Sequence, residues 1–161
     1  MVFDILAKNE SGYLISNQTL KYLIANKIKD AEILKRNNRF PASVYIAGYA
    51  VEIALKYKVC KALQFDFGFP ETTQELSAYR NYINRNYSKP LMIALNDIRT
   101  HNLNRLLFYS GIEFKIRNDF FSEWRIVTEW NPENRYRKVR IMSKSADKYL
   151  KAVNKIIKEI N

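Results

Sequence analysis

The only histidine of the chain, His101, is the residue most suited to acid–base chemistry, and it stands two positions after Arg99. An imidazole can take the proton of a 2′-hydroxyl group, and a guanidinium can stabilise the charge that develops on a phosphate. The pattern places His101 in the first turn of a short helix, where the helix N-terminus disfavours a positive ring. We therefore predict a neutral imidazole. The alternative is a structural histidine that hydrogen-bonds a neighbouring helix or loop.

The most basic segment of the chain is residues 135–140, in which four of the six residues are cationic. Exposed arginines in a loop can bind phosphate, and a tyrosine can stack on a base. The predicted nucleic-acid- or nucleotide-binding residues of this segment are Arg135, Tyr136, Arg137, Lys138 and Arg140. The alternative is a solvated connector in which Tyr136 packs inward and Arg135 pairs with a carboxylate.

Composition excludes several classes of site. One cysteine, Cys60, and one histidine exclude a disulfide framework, a cysteine-based zinc site and any site that needs two histidines. The chain has no Gly-rich phosphate loop, no His-Glu-x-x-His motif and no Gly-x-Ser-x-Gly motif. We therefore predict neither a metal nor a cofactor.

The charge balance favours a polyanionic partner. The chain carries 27 Lys and Arg against 16 Asp and Glu, a net charge of +11 and a pI near 9.7. RNA, DNA, nucleotides or an acidic protein would suit that charge. The alternative is a basic protein without such a partner, and the lysine stripe of the last helix is interpreted as a solvated face.

A length of 161 residues predicts one domain, with a leading segment at 1–16 and a core at 17–160. The first residues lack a basic region followed by a long apolar run, and no stretch approaches the ~18 apolar residues of a membrane span. We therefore predict a cytoplasmic protein without a membrane partner, in which Cys60 stays reduced.

The apolar spacing predicts an all-α, up-and-down bundle of five to six helices. Helices are predicted over 17–37, 41–63, 101–110, 113–130 and about 145–160, and residues 72–87 could form another. Asn17 or Thr19 could cap the first helix and Thr100 the short one. The helix over 113–130 is expected to turn these side chains into the core, or into a dimer interface: Phe114, Phe120, Phe121, Trp124 and Val127.

Five elements in this order resemble the HEPN domain family, named for its occurrence in higher eukaryotes and prokaryotes. The first is the Ala/Leu-patterned helix at the start of the core, and the last is the Ala-led amphipathic helix that closes the domain. Residues 47–56 look like the family's Ala-x-Glu-x-x-x-Lys helix. Residues 100–103, Thr-His-Asn-Leu, are similar to its Thr-His-Asp-Leu segment, and Arg135-Tyr136 resembles its Arg-Tyr-Pro segment. The resemblance covers roughly residues 19–160. It implies an up-and-down helical bundle and commonly a symmetric homodimer.

Members of the family act as RNA-cleaving toxins, as partners of small nucleotidyltransferases and in phage defence, and others bind RNA or nucleotides without catalysis. The family's ribonucleases carry Arg and, after four to six further residues, His. In this chain, the positions required before His101 are held by Ala94, Leu95 and Asn96. Arg117-Asn118 looks like the start of the motif, which makes these two residues further nucleic-acid-binding candidates, but no histidine follows them.

The resemblance and the charge together predict a non-catalytic module that binds RNA or a nucleotide, as part of a toxin–antitoxin or phage-defence system. Two alternatives stay open. One is a metal-independent ribonuclease with His101 as general base and Arg99 beside it. The other is a protein-interaction role, as the partner of a separately encoded nucleotidyltransferase.

Overall fold

The computed structural model describes residues 15–65, 68–73, 75–77, 79 and 97–160, and in this part of the chain the fold is all-α. The elements are α1 (Asn17–Arg36), α2 (Phe40–Ala62), α3 (Leu103–Tyr109), α4 (Glu113–Asp119), α5 (Phe121–Val127), a 3₁₀ helix (Pro132–Tyr136) and α6 (Ser143–Ile160). No strand forms among the described residues, where Ile15 and Phe69 make an isolated bridge. The predicted all-α class is confirmed.

Two predictions fall partly or wholly outside the described residues. The leading segment is described only at its end, residues 15 and 16, and the helix considered over 72–87 is described only at residues 72, 73, 75–77 and 79. None of the helices in the described part of the chain is long and apolar enough to cross a lipid bilayer.

The α1–α2 pair forms one layer of the bundle. The cap of α1 is Ser16, whose Oγ accepts a hydrogen bond from the backbone N–H of Thr19 at 3.0 Å, so the predicted caps are wrong. A serine just before the helix can reach the free N–H groups of the first turn, whereas residues already in that turn cannot. Ser43 Oγ donates to the Ala31 carbonyl at 2.7 Å and joins α2 to α1.

Helix α2 is the centre of the fold. It packs against α1, α3, the 3₁₀ helix and α6. Its buried positions lie on all sides, which confirms the prediction from its nearly continuous apolar run. The small residues Ala47, Ala50 and Ala54 let neighbouring helices approach α2 closely. All three are fully buried as a result.

Trp130 packs directly against Gly48 of α2. A Cβ at residue 48 would overlap the indole ring of Trp130, which also donates from Nε1 to the Tyr45 carbonyl at 3.0 Å. Alanine normally stabilises a helix interior by ~1 kcal/mol relative to glycine. We expect Gly48→Ala instead to lower the free energy of unfolding by about 1–3 kcal/mol, because the overlap forces backbone shifts. Chemical denaturation monitored by circular dichroism tests this, and a stabilised variant would contradict it.

The helix predicted over 113–130 is two helices, α4 and α5, which meet at Phe120. Its φ of −130° departs from helical geometry, yet Phe120 N–H still bonds the Ile116 carbonyl and its own carbonyl accepts from Trp124 N–H. The apolar spacing therefore runs on through the break, and periodicity could not reveal it. Two of the side chains predicted to point into the core do not: Phe114 is 81% exposed and Phe121 is 58% exposed.

Helix α6 closes the bundle against α2 and α5. Every residue predicted on its apolar side is buried: Ala146, Tyr149, Leu150, Val153, Ile156, Ile157 and Ile160. The five lysines of the opposite side are exposed, as a solvated face would be: Lys144, Lys148, Lys151, Lys155 and Lys158. The periodicity of this helix was sufficient because one face carries all of its packing.

Candidate nucleic-acid interface

His101 lies immediately before α3 and not in its first turn. The cap of α3 is Asn102, whose Oδ1 accepts from Arg105 N–H at 3.1 Å. Thr100, the predicted cap, uses its Oγ1 to accept from Asn102 N–H at 3.0 Å. Asparagine caps a helix at least as well as threonine, so the helix starts two residues later than predicted. The predicted first-turn position of His101 is therefore wrong, and the neutral imidazole stays a prediction.

The imidazole of His101 instead faces a buried carboxylate. Its Nδ1 lies 3.0 Å from both side-chain oxygens of Glu52, which is 2% exposed, while the ring itself is 53% exposed. A carboxylate that is ionised only accepts hydrogen bonds, and this contact then requires the proton on Nδ1. In the neutral ring, Nε2 then holds the lone pair, and it has no partner among the described residues. A carboxylate that fixes the tautomer in this way orients a histidine for proton transfer.

Lys56 holds the same carboxylate from within the fold. Its Nζ lies 3.3 Å from Glu52 Oε1 and 2.8 Å from Glu71 Oε1, and its side chain is 10% exposed. Glu52 and Lys56 are one helical turn apart, in the order that favours such an ion pair. The sequence did not predict that the pair is buried and bonded to His101.

A groove of about 600 Å³ opens beside the imidazole. Polar side chains dominate its lining: Thr100, His101, Asn102, Asn104, Thr128, Glu129 and Asn131. Leu103, Trp130 and Pro132 complete the lining, and Pro132 is the first residue of the 3₁₀ helix. The groove therefore brings His101 together with side chains that can hydrogen-bond a ligand.

Arg99, the predicted partner of His101, and Arg117, a predicted nucleic-acid-binding residue, have different contacts. Arg99 donates to Thr73 Oγ1 at 3.1 Å, and the described residues give it no bond to His101. Arg117 donates to Asn104 Oδ1, a side chain of the groove, at 3.4 Å, and its Nε donates to Glu113 at 2.8 Å.

Asn118, predicted together with Arg117, is an exposed residue of α4. The described residues do not connect it with the groove.

Five cationic residues line two adjoining concavities near the end of the 3₁₀ helix. We name them the basic surface: Arg135, Arg137, Lys138, Arg140 and Lys148. The first three line a concavity of about 350 Å³ and the last two line a second one of about 420 Å³. The two concavities share the residues Val44, Trp130, Asn134, Val139 and Ile141. Trp130 also lines the His101 groove, so the three depressions adjoin one another.

Tyr136 projects from the basic surface, with 78% of the residue exposed. The guanidinium of Arg135 stacks over its ring, 4.7 Å from the centroid. This arrangement contradicts the alternative of an inward tyrosine and an Arg135–carboxylate pair. Arg137 pairs with Glu133 at 3.1 Å on the exposed 3₁₀ turn, whereas Lys138 and Arg140 have no ion pair among the described residues.

Two groups of α2 have raised pKa values. Burial, followed by a hydrogen bond with Tyr45, raises the pKa of Tyr49 to about 12. Burial likewise raises the pKa of the Cys60 thiol to about 12. Both groups therefore stay protonated near neutral pH. Among the described residues, no cluster of three or more His, Cys, Asp or Glu side chains could hold a metal ion.

Comparison with known proteins gives no independent identification: no family model, curated protein or solved structure matches this chain. The resemblance to the HEPN family therefore remains a prediction. The function has to be argued from the site itself.

Proposed function

We propose that this protein binds single-stranded RNA through the basic surface. The observation that supports this most directly is the exposed Tyr136 ring stacked on Arg135, with Lys138 and Arg140 unpaired beside it. Proteins that bind single strands combine cations along the backbone with aromatic rings on which bases stack. A merely solvated connector has no need of an exposed aromatic ring among cations.

The proposal has a direct test in a salt titration of RNA binding, measured by fluorescence anisotropy with a labelled single strand. Lys138→Ala/Arg140→Ala should weaken binding and reduce the slope of log K against log salt by about 1.4, since each phosphate contact on a single strand contributes about 0.7. Tyr136→Ala should weaken binding by ~1–3 kcal/mol with little change of slope, because it removes stacking and no charge.

The matched control is Lys29→Ala/Lys61→Ala, which removes the same charge from exposed positions on α1 and α2. It should change the affinity much less than the variant of the basic surface. Equal losses in both double variants would mean that net charge, and not this surface, binds RNA. Affinity that does not fall with added salt would reject the proposal.

A second function, metal-independent RNA cleavage, is favoured by the Glu52–His101 contact. Nδ1 contacts the Glu52 carboxylate and His101 lines the groove. With the proton held on Nδ1, Nε2 would be free to act as the base. In cleavage, Nε2 would take the proton of a 2′-hydroxyl while the 2′-oxygen bonds to phosphorus. The bond from phosphorus to the 5′-oxygen breaks, and that oxygen takes a proton from water. The products are a 2′,3′-cyclic phosphate and a free 5′-hydroxyl.

The assay for this function is incubation of end-labelled single-stranded RNA with the protein in EDTA, resolved on a denaturing gel. His101→Ala is the first variant to compare. Intact RNA with both proteins would reject cleavage and leave the binding function in place.

Partner proteins belong to the same set of proposals. We propose a homodimer, or a complex with a separately encoded nucleotidyltransferase in a toxin–antitoxin or phage-defence system, in the cytoplasm. Support comes from three exposed phenylalanines on consecutive helices: Phe108, Phe114 and Phe121. Light scattering of the purified protein tests the dimer, and a monomer at all concentrations would reject it.

A further inference from the structure

The groove beside His101 has a set of donors that no contact within the described residues uses. Three asparagines line it, and the side-chain oxygen of each is engaged within the protein: Asn102, Asn104 and Asn131. The oxygen of Asn102 accepts from Arg105 N–H, and that of Asn131 accepts from Glu133 N–H at 2.8 Å. A backbone N–H only donates, so the atom facing it in each case is the oxygen.

Asn104 is oriented by two side-chain donors. Its Oδ1 accepts from Trp124 Nε1 at 3.1 Å and from the Arg117 guanidinium at 3.4 Å. Neither partner can accept a hydrogen bond, so the amide cannot be turned the other way. The NH₂ groups of all three asparagines have no partner in the described part of the chain. The groove is therefore lined by three asparagines with unused amide donors and by His101.

We propose that this groove binds a phosphate group of an RNA chain, with the asparagine NH₂ groups donating to its oxygens beside His101. Phosphate oxygens accept hydrogen bonds and do not donate, so a set of donors matches them. The inference rests on the cleavage function above and names the group that the site holds.

One acidic side chain, Glu129, also lines the groove. Glu129 also lines the second concavity of the basic surface, together with Lys148 and Tyr149. Arg117, which pairs with Glu113, contacts Asn104 of the groove, so a guanidinium lies next to one of the asparagine donors.

The test uses inorganic phosphate as the probe and the signal of His101 as the readout. His101 is the only histidine, so its Cε1–H resonance is unambiguous in an NMR titration at constant pH and ionic strength. Phosphate should shift it saturably. Asn104→Asp and Asn131→Asp keep the oxygen that each internal bond needs but replace the NH₂ donor by a negative oxygen. Each should weaken phosphate binding about tenfold.

The control is Asn154→Asp, which adds the same charge on α6 in a separate groove against α1. It should leave the phosphate affinity nearly unchanged. An equal loss in the control, or a shift with uridine and none with phosphate, would overturn the inference. A saturable phosphate shift with intact RNA in the cleavage assay would retain the phosphate site and reject cleavage. Cleavage without a phosphate shift would reject this inference alone.

Discussion

Replacing Glu52 by alanine is expected to lower the free energy of unfolding by about 3–5 kcal/mol. The carboxylate is 2% exposed and contacts both Lys56 and His101. Its removal leaves the largely buried Lys56 ammonium with the more exposed Glu71 as its other ion-pair partner. It also leaves an unfilled space beside α2, where the carboxylate was packed. A buried charge without its partner costs much more than the intact pair contributes. Urea unfolding followed by circular dichroism measures the change.

The matched control for this prediction is Glu71→Gln. Glu71 is the other partner of Lys56, at 2.8 Å, but its side chain is 40% exposed. Solvent screens an ion pair at such a position, so the loss should stay below about 1 kcal/mol. A Glu52 variant no less stable than the Glu71 variant would show that the buried pair is not a stabilising part of the fold.

For RNA cleavage, His101→Ala should lower the rate by 10²- to 10⁴-fold, the usual contribution of a positioned general base. RNA affinity should change little, because the cations that hold the strand lie on the basic surface. Glu52→Gln should also lower the rate, since an amide does not fix the tautomer as a carboxylate does. The rate under single-turnover conditions and the anisotropy of the same samples separate the two effects.

Two arginine variants provide the controls for this series. Arg99→Ala should leave the rate nearly unchanged, since Arg99 contacts Thr73. Arg117→Ala should lower it, because that guanidinium adjoins Asn104 in the groove. If His101→Ala and the unmodified protein cleave RNA at the same rate, the cleavage comes from a contaminating nuclease and the His101 site is rejected.

The long helices could be predicted because the buried positions of each helix are occupied by apolar residues at a regular spacing in its sequence. Helix α6 buries one face, and its apolar residues fall on that face. Helix α2 buries nearly all of its surface, and its sequence is apolar on nearly every side. The short elements could not be predicted in the same way. Asn102 rather than Thr100 caps α3, and the break at Phe120 leaves the apolar spacing intact. Such choices between neighbouring residues depend on tertiary contacts.

The candidate site was predictable in its components but not in its connections. His101 and the segment 135–140 were identified by residue type, whereas the contact of His101 with Glu52 joins residues 49 positions apart. The available signal was Glu52, the one carboxylate of the largely apolar helix α2, since such a group is rarely buried without a partner. The three asparagines gave no signal, because only the structure shows that their oxygens are engaged.

The position of Trp130 has a consequence for spectroscopy and for linkage between sites. Its indole is a wall of both concavities of the basic surface and of the His101 groove. A strand bound in any of them changes the surroundings of one fluorophore, so intrinsic emission can report occupancy without a label. If a ligand in one depression displaces the indole, the shape of the other two changes as well. Binding at the separate depressions would then be coupled, and the coupling free energy would be the same in either order of addition.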